Sequence, residues 1–465
     1  MVCKAPSKSH GAISRAFSSS PRQPIRNHQG NPAWLQQILG DTAPPPKLYA
    51  WTSANLQGIS HAEREEQRLT ILDAPSRRRV YVLGLGNLGR LFASNLRKSD
   101  TPPPVTLILH RKALLEQWVS SPGLEITRAG QAEKFKDFNV EWWTEERPSS
   151  GPVIEVADGT AMPNLIVATK ASDALPQVDR LRKYLDGSSN VVFTQNGMCK
   201  LWPPIGIAYN SHRFPDQKHP NWLACVTTHG VVSSAPFRST HASVASATIG
   251  PVSLNPCHGD DSSYLIETIV KCPDLHAKSA ARSELWVLQL EKLVVNSIIN
   301  PLTAVLRCNN GELFVPSGDA LPLIIDKLIE EASLVLRKLV IHPSSSDILR
   351  DTATHSAHGP HDSPEVSLQN VEEQLLNRFS FENLHRMVHE IGYKVRENTS
   401  SMLQDVRAGK HTEIRDFNGW LVDTAQFLGP DIELPTHTRL IAMVEDGLTF
   451  PRSELSDRFN LSHKA

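Results

Sequence analysis

"RRRVYVLGLGNLGRLFASNLRK", Arg77 to Lys98, decides how the first half of the chain is read. An apolar run, Val80 to Leu83, enters a glycine turn and leaves it as a helix-period stretch, Leu88, Leu91, Phe92 and Leu96. Gly84, Gly86 and Gly89 stand at G-x-G-x-x-G spacing. The first glycine permits a tight turn, the second lets backbone approach a pyrophosphate, and the third lets helix and strand pack closely. The N–H groups of the helix start then face the phosphates. Glycine turns are common, but between a strand and a helix this one predicts a dinucleotide site built from Gly84, Leu85, Gly86, Asn87, Leu88 and Gly89.

Beyond the turn, strand-like runs follow at "VTLILH", "NLIVATKA", "NVVFTQNG" and "WLACVTTHGVV", with helical stretches between several of them. That alternation predicts an α/β, Rossmann-like domain with a mainly parallel sheet over residues 77–260. The second strand should end near an adenosine ribose, where an acid usually accepts the 2′-hydroxyl. Here the chain offers His110 and Arg111 and no carboxylate. Arginine makes charge-assisted bonds to a 2′-phosphate, so the expected cofactor is NADPH/NADP+. A solvated basic loop residue is the other reading of Arg111.

From about Ser283 the texture changes. "LWVLQLEKLVVNSIINPLTAVL", "ALPLIIDKLIEEASLVLRKLVI", "SFENLHRMVHEIG" and "FNGWLVDTAQFLG" all carry helical periodicity, predicting an all-helical C-terminal domain over 280–460. The Ser/His/Pro-rich stretch at about 342–366 reads as a mobile loop insertion. Inside the first of these helices Lys292, Asn296 and Asn300 stand four apart among apolar residues. Each step of four advances about 40° past a full turn, so they form one slanted stripe. Buried ammonium and amide groups are costly without partners. The stripe is either a ligand wall or a satisfied polar seam between helices.

Forty-eight basic residues balance 49 acidic ones, which gives no reason to expect nucleic acid or an anionic membrane as partner. No run of 18 apolar residues suggests a membrane span. Six scattered cysteines form no zinc-spaced cluster, so no metal site is expected. Residues 1–76 read as an extension and linker. The first 40 are basic, Ser-rich and free of acids, as in a mitochondrial transit peptide, or else a disordered tail on a cytoplasmic protein.

Three further motifs narrow the reading: "TQNGM" (Thr194 to Met198), "EKLVVNSIINPLTAVLRCNNGEL" and "ENTSSMLQDVRAGKHTEIRDFNG" (Glu397 to Gly419). With the glycine turn they resemble the ketopantoate reductase (2-dehydropantoate 2-reductase) family, from about Arg79 to about Val444. The resemblance implies NADPH-dependent reduction of ketopantoate to pantoate, on the route to pantothenate and coenzyme A, in a cleft between the two domains. It puts the family's catalytic lysine on Lys292 and its late carboxylate on Glu413. It puts substrate contacts on Asn196, Asn296, Asn300, Asn398 and Ser401, and cofactor contacts on Arg111, Lys170 and Asn196. The departures are the N-terminal extension, the 342–366 stretch and Arg415, where the family often has an acid.

The residues agree with that chemistry. Reducing a ketone builds negative charge on its oxygen, and a cation that can also deliver a proton suits Lys292. An unbroken helix would separate Ser401 and Glu413 by about 18 Å. "RAGKHT" offers an interruption, with Gly409 as a C-terminal cap and Thr412 as the next N-cap. His229 and His411 read as structural. The alternatives are reduction of another branched 2-keto acid, or a retired reductase fold serving as a mitochondrial binding or regulatory protein. Expected partners are a small 2-keto acid and at most a second copy of the chain.

Overall fold

The computed structural model describes residues 31–56, 77–256, 262–356 and 364–461. The basic stretch read as a targeting segment lies almost wholly outside them, as does the charged run within 57–76. Thirteen strands are described: β1 Tyr49–Trp51, β2 Val80–Leu83, β3 Val105–Leu109, β4 Leu124–Arg128, β5 Gln131–Phe135, β6 Asn139–Thr144, β7 Asn164–Val167, β8 Asn190–Phe193, β9 Asn221–Thr227, β10 Gly230–Ala235, β11 Arg238–Ser243, β12 Ala247–Ser253 and β13 Ala277–Ser279. Nine of them form one sheet in the order β1-β6-β3-β2-β7-β8-β9-β12-β13. Its middle, β6 through β9, is parallel throughout. β2, β3, β7, β8 and β9 are buried along their whole length, as a sheet covered on both faces requires.

The α/β domain followed by a helical domain is therefore as expected. The helical half is organised around Arg282–Leu306, a 25-residue helix buried on nearly every side. Around it lie Leu321–Ile341, Phe381–Lys394, Ser401–Arg407, Ile414–Leu428 and Pro435–Glu445. Pro301 interrupts the long helix and cannot donate to the carbonyl of Ser297. Asn418 supplies the missing donor, its Nδ2 lying 2.8 Å from that oxygen.

Two sequence expectations need correction. Part of the presumed extension is folded: Ala33–Gly40 is a helix, and β1 adds an antiparallel edge strand beside β6. The reason is apolar burial, with Leu35, Leu48, Ala50, Trp51, Ala54 and Leu56 all inside. The presumed loop at 342–366 is also largely helical, with Ser346–Ser356 and the start of Pro364–Arg378 falling within it. Ile348 and Leu349 are buried there, and Asp351 pairs with Arg282 at 3.1 Å.

Candidate active site

The glycine turn has the geometry that a dinucleotide needs. Gly84 has φ +94°, and a Cβ on it would stand 2.9 Å from the backbone of Ala168 and Thr169 at the end of β7. A Cβ on Gly89 would lie 1.9 Å from the Gly84 oxygen, so only glycine lets the helix Asn87–Lys98 seat against the turn. Above Gly86, the N-cap, the space is open apart from an ordinary contact with the Ala168 oxygen. The first-turn N–H groups of this helix have no acceptor within the helix. These features fit a pyrophosphate. Leu85 and Leu88 pack partly into the core beneath the turn. The Asn87 side chain is taken by the Val231 carbonyl and by Arg90, which leaves its backbone for a ligand.

Arg111 caps the helix Lys112–Ser120 directly after β3, and it is exposed. Lys170, after β7, is exposed too, but its ammonium lies 2.6 Å from Asp405 of the helical domain. Burial works against the charge on Lys170, yet Glu413 and Asp405 outweigh it and raise its pKa.

Where the halves meet, three predicted residues form a chain. The Lys292 ammonium donates to Asn196 Oδ1 at 2.9 Å and to the Thr227 carbonyl at 2.6 Å. Asn196 Nδ2 in turn points at Glu413 Oε2, 3.5 Å away. Asn196 thus bridges cation and carboxylate, and no direct ion pair joins them. Burial lowers the Lys292 pKa to about 8 against the opposing pull of Glu413 and Cys225. Burial likewise raises the Glu413 pKa, with Lys170 opposing and Asp416 adding to the rise.

The rest of the stripe is looser. Asn300 is buried and donates to Ser401 Oγ at 3.3 Å, which ties the long helix to the start of Ser401–Arg407. Asn296, between Lys292 and Asn300, is half-buried. Asn398 is not brought in: it is exposed, and its carbonyl accepts from the Asn310 N–H instead. The next N-cap is Glu413 itself and not Thr412, because the chain reaches helical geometry one residue later. Ser400, not Ser401, caps the preceding helix, accepting from the Leu403 N–H. Gly409 does take the left-handed conformation expected of it, at φ +63°.

Other polar residues matter that the motif reading passed over. Thr227 supplies an acceptor to Lys292 through its backbone, which no side-chain pattern reveals. Asn418, inside "DFNG", donates to Ser297 O and meets Nδ1 of the fully buried His437, whose Nε2 donates to Leu328 O. The His229 ring lies in a buried network with His241 and the Leu275 carbonyl, and its backbone N–H donates to Thr227 Oγ1, so it adjoins the acceptor of Lys292 with its ring engaged elsewhere. A hollow of about 860 Å³ lined by Lys327, Pro430, Arg439 and Phe459 contains none of the candidate residues.

The fold, the glycine turn and the groups gathered where the halves meet fit a two-domain dehydrogenase. Residues 80–253 match the family model described as ketopantoate reductase PanE/ApbA, and residues 284–447 match that of its C-terminal part. Ketoisovalerate reductase BEA2 of Gibberella fujikuroi is 42% identical over 447 residues, covering 92% of this chain and 98% of that protein. A probable 2-dehydropantoate 2-reductase of Schizosaccharomyces pombe is 28% identical, covering 75% of this chain and 90% of that protein. A solved PanE/ApbA family ketopantoate reductase from Ralstonia eutropha shares the fold, with TM-score 0.55 at 16% identity over 79% of this chain and 98% of that one. The chain belongs to the ketopantoate reductase family.

Proposed function

We propose that the protein reduces a branched 2-keto acid, with ketoisovalerate as the preferred substrate over ketopantoate. One observation carries the choice: the ketoisovalerate reductase matches at 42% across nearly both whole chains, and the pantoate reductase at 28%. The two acids differ by a hydroxymethyl group on the branched carbon. An extra carbon in an alkyl pocket is worth about 10- to 200-fold in discrimination, and the hydroxyl adds to that, so ketopantoate should be turned over only weakly.

A bound NADPH supplies the hydride. The Lys292 ammonium meets the ketone oxygen, stabilises the negative charge that grows on it and passes it a proton. Asn196 and Glu413 hold that ammonium in place, and the Asn300–Ser401 pair offers donors to the substrate carboxylate. In a bound cofactor, Gly84 to Gly89 would seat the pyrophosphate, Arg111 would hold the 2′-phosphate and Lys170 would stand beside the phosphates.

Purified full-length protein should oxidise NADPH with ketoisovalerate at a kcat/KM at least about tenfold above that with ketopantoate. A clear preference for ketopantoate would reverse the assignment. Turnover of neither would favour the retired-fold reading. The composition of the first 40 residues suggests a targeting segment; with Ala33–Gly40 folded as a helix, we propose residues 1–30 of that stretch as the mitochondrial targeting segment. A reporter fused to them that stays diffuse in the cytosol would end that proposal.

A further inference from the structure

The turn that carries Asn196 is held from outside the reacting groups. Gly197 has φ +83°, and a Cβ there would stand 2.9 Å from the Asp416 carbonyl oxygen, so turn and helix start touch backbone to backbone. Three residues on, the Lys200 ammonium lies 3.2 Å from the Asp416 carboxylate, and these side chains are only 19% and 8% exposed. Trp34 covers the same ammonium, with 4.7 Å from Nζ to the ring centroid. The Trp34 side chain also hydrogen-bonds Asp423, two turns along the helix that carries Asp416.

Trp34 belongs to the helix Ala33–Gly40, which is fastened to the α/β domain. Arg213 donates to the carbonyl oxygens of Ile38 and Asp41, and Arg182 donates to that of Ala43. One short segment therefore grips both domains. Beside the turn a cavity of about 20 Å³ lies among Gln195, Met198, Cys199, Lys200 and Gln289. That is room for about one water.

We propose that Trp34, Lys200 and Asp416 form a positioning relay by which the helix Ala33–Gly40 presses the Thr194–Met198 turn onto the Glu413 helix start, fixing Asn196 between Lys292 and Glu413. This rests on the assignment of those three residues to the reaction. Lys200 is the hub. Removing one partner of a largely buried ion pair leaves an uncompensated charge, here on Asp416, in the same helical turn as Glu413. The cation–aromatic contact tolerates arginine, which stacks on tryptophan at least as well as lysine does.

The test uses full-length Lys200→Met, Lys200→Arg and Trp34→Ala, with two readouts: steady-state reduction of ketoisovalerate, and hydrogen exchange of the Thr194–Trp202 backbone in the unliganded protein. Lys200→Met should lower kcat by about tenfold and speed exchange in the turn, while NADPH affinity holds. Lys200→Arg should restore both. Trp34→Ala, which leaves the ion pair standing, should show a milder form of the same signature, and it carries the test if Lys200→Met does not fold. Wild-type exchange in Lys200→Met and Trp34→Ala would overturn the relay. So would equal losses in the Met and Arg variants, which mark Lys200 as merely structural. If the wild type reduces no 2-keto acid, the functional assignment fails, and the exchange data still decide the relay.

Discussion

Lys292 has three N–H donors, and the protein engages two, at Asn196 and Thr227. In the proposed reaction the third would meet the ketone oxygen. Burial brings its pKa to about 8, so the ammonium is a ready proton donor near neutral pH. The sign follows directly. Keto-acid reduction needs the charged form, so kcat should be level below about pH 8 and fall above it. Oxidation of the hydroxy acid needs the neutral amine and should rise through the same range. Parallel pH profiles in the two directions would remove Lys292 as the acid. Arg111 makes a separable claim. Charge-assisted hydrogen bonds are worth about 1.5–3 kcal/mol, roughly 10- to 150-fold in affinity. Arg111→Ala should therefore weaken NADPH and leave NADH nearly unchanged in binding titrations. Equal losses for both would assign Arg111 to the fold.

At the scale of elements, a proline and an asparagine fix where Glu413 sits. Pro301 frees the Ser297 carbonyl, and Asn418 Nδ2 takes it, tying the helix that Glu413 caps to the helix that bears Lys292. Asn418→Ala leaves that buried carbonyl without its partner, which should cost about 1–3 kcal/mol in denaturant unfolding. Unchanged stability would mean that the helices are held by packing alone. The sequence shows both motifs but not their meeting, since the pairing spans 121 residues. The buried strands and the long helices were readable because their apolar periods are strong. The sheet β10-β11-β4-β5 was not, because β5 is "QAEKF", almost entirely exposed, and offers no alternation. The helix Ala33–Gly40 was hidden by its neighbours: "WLQQIL" is a short apolar island between a basic tail and Pro44 to Pro46. Ser346–Ser356 was masked by its Ser and His content, although Ile348 and Leu349 mark its buried face. In the site, Lys292, Asn196 and Glu413 were found by motif and brought together by the fold. Asn398 shares a motif with Ser401 yet stays outside, because its backbone serves the turn at Asn310.

Over the whole molecule, the proposed relay makes the helix Ala33–Gly40 part of the working unit. The helix Ala33–Gly40 grips Arg213 on one domain and reaches Lys200 and Asp423 through Trp34. Deleting residues 1–30 should leave turnover intact. Deleting residues 1–40 should lower it, since the cut takes Trp34 and the Ile38 carbonyl with it. Equal activity in both truncations would make the helix dispensable. The most direct test of the chemistry is single-residue: kcat of Lys292→Ala with ketoisovalerate, alongside NADPH titration to show that the cofactor site survives. Loss of a positioned general acid costs about 10²- to 10⁴-fold. A variant that binds NADPH normally and falls in kcat by that order is the expected result. One that binds NADPH and turns over at the wild-type rate would contradict the assignment of Lys292 and the mechanism built on it.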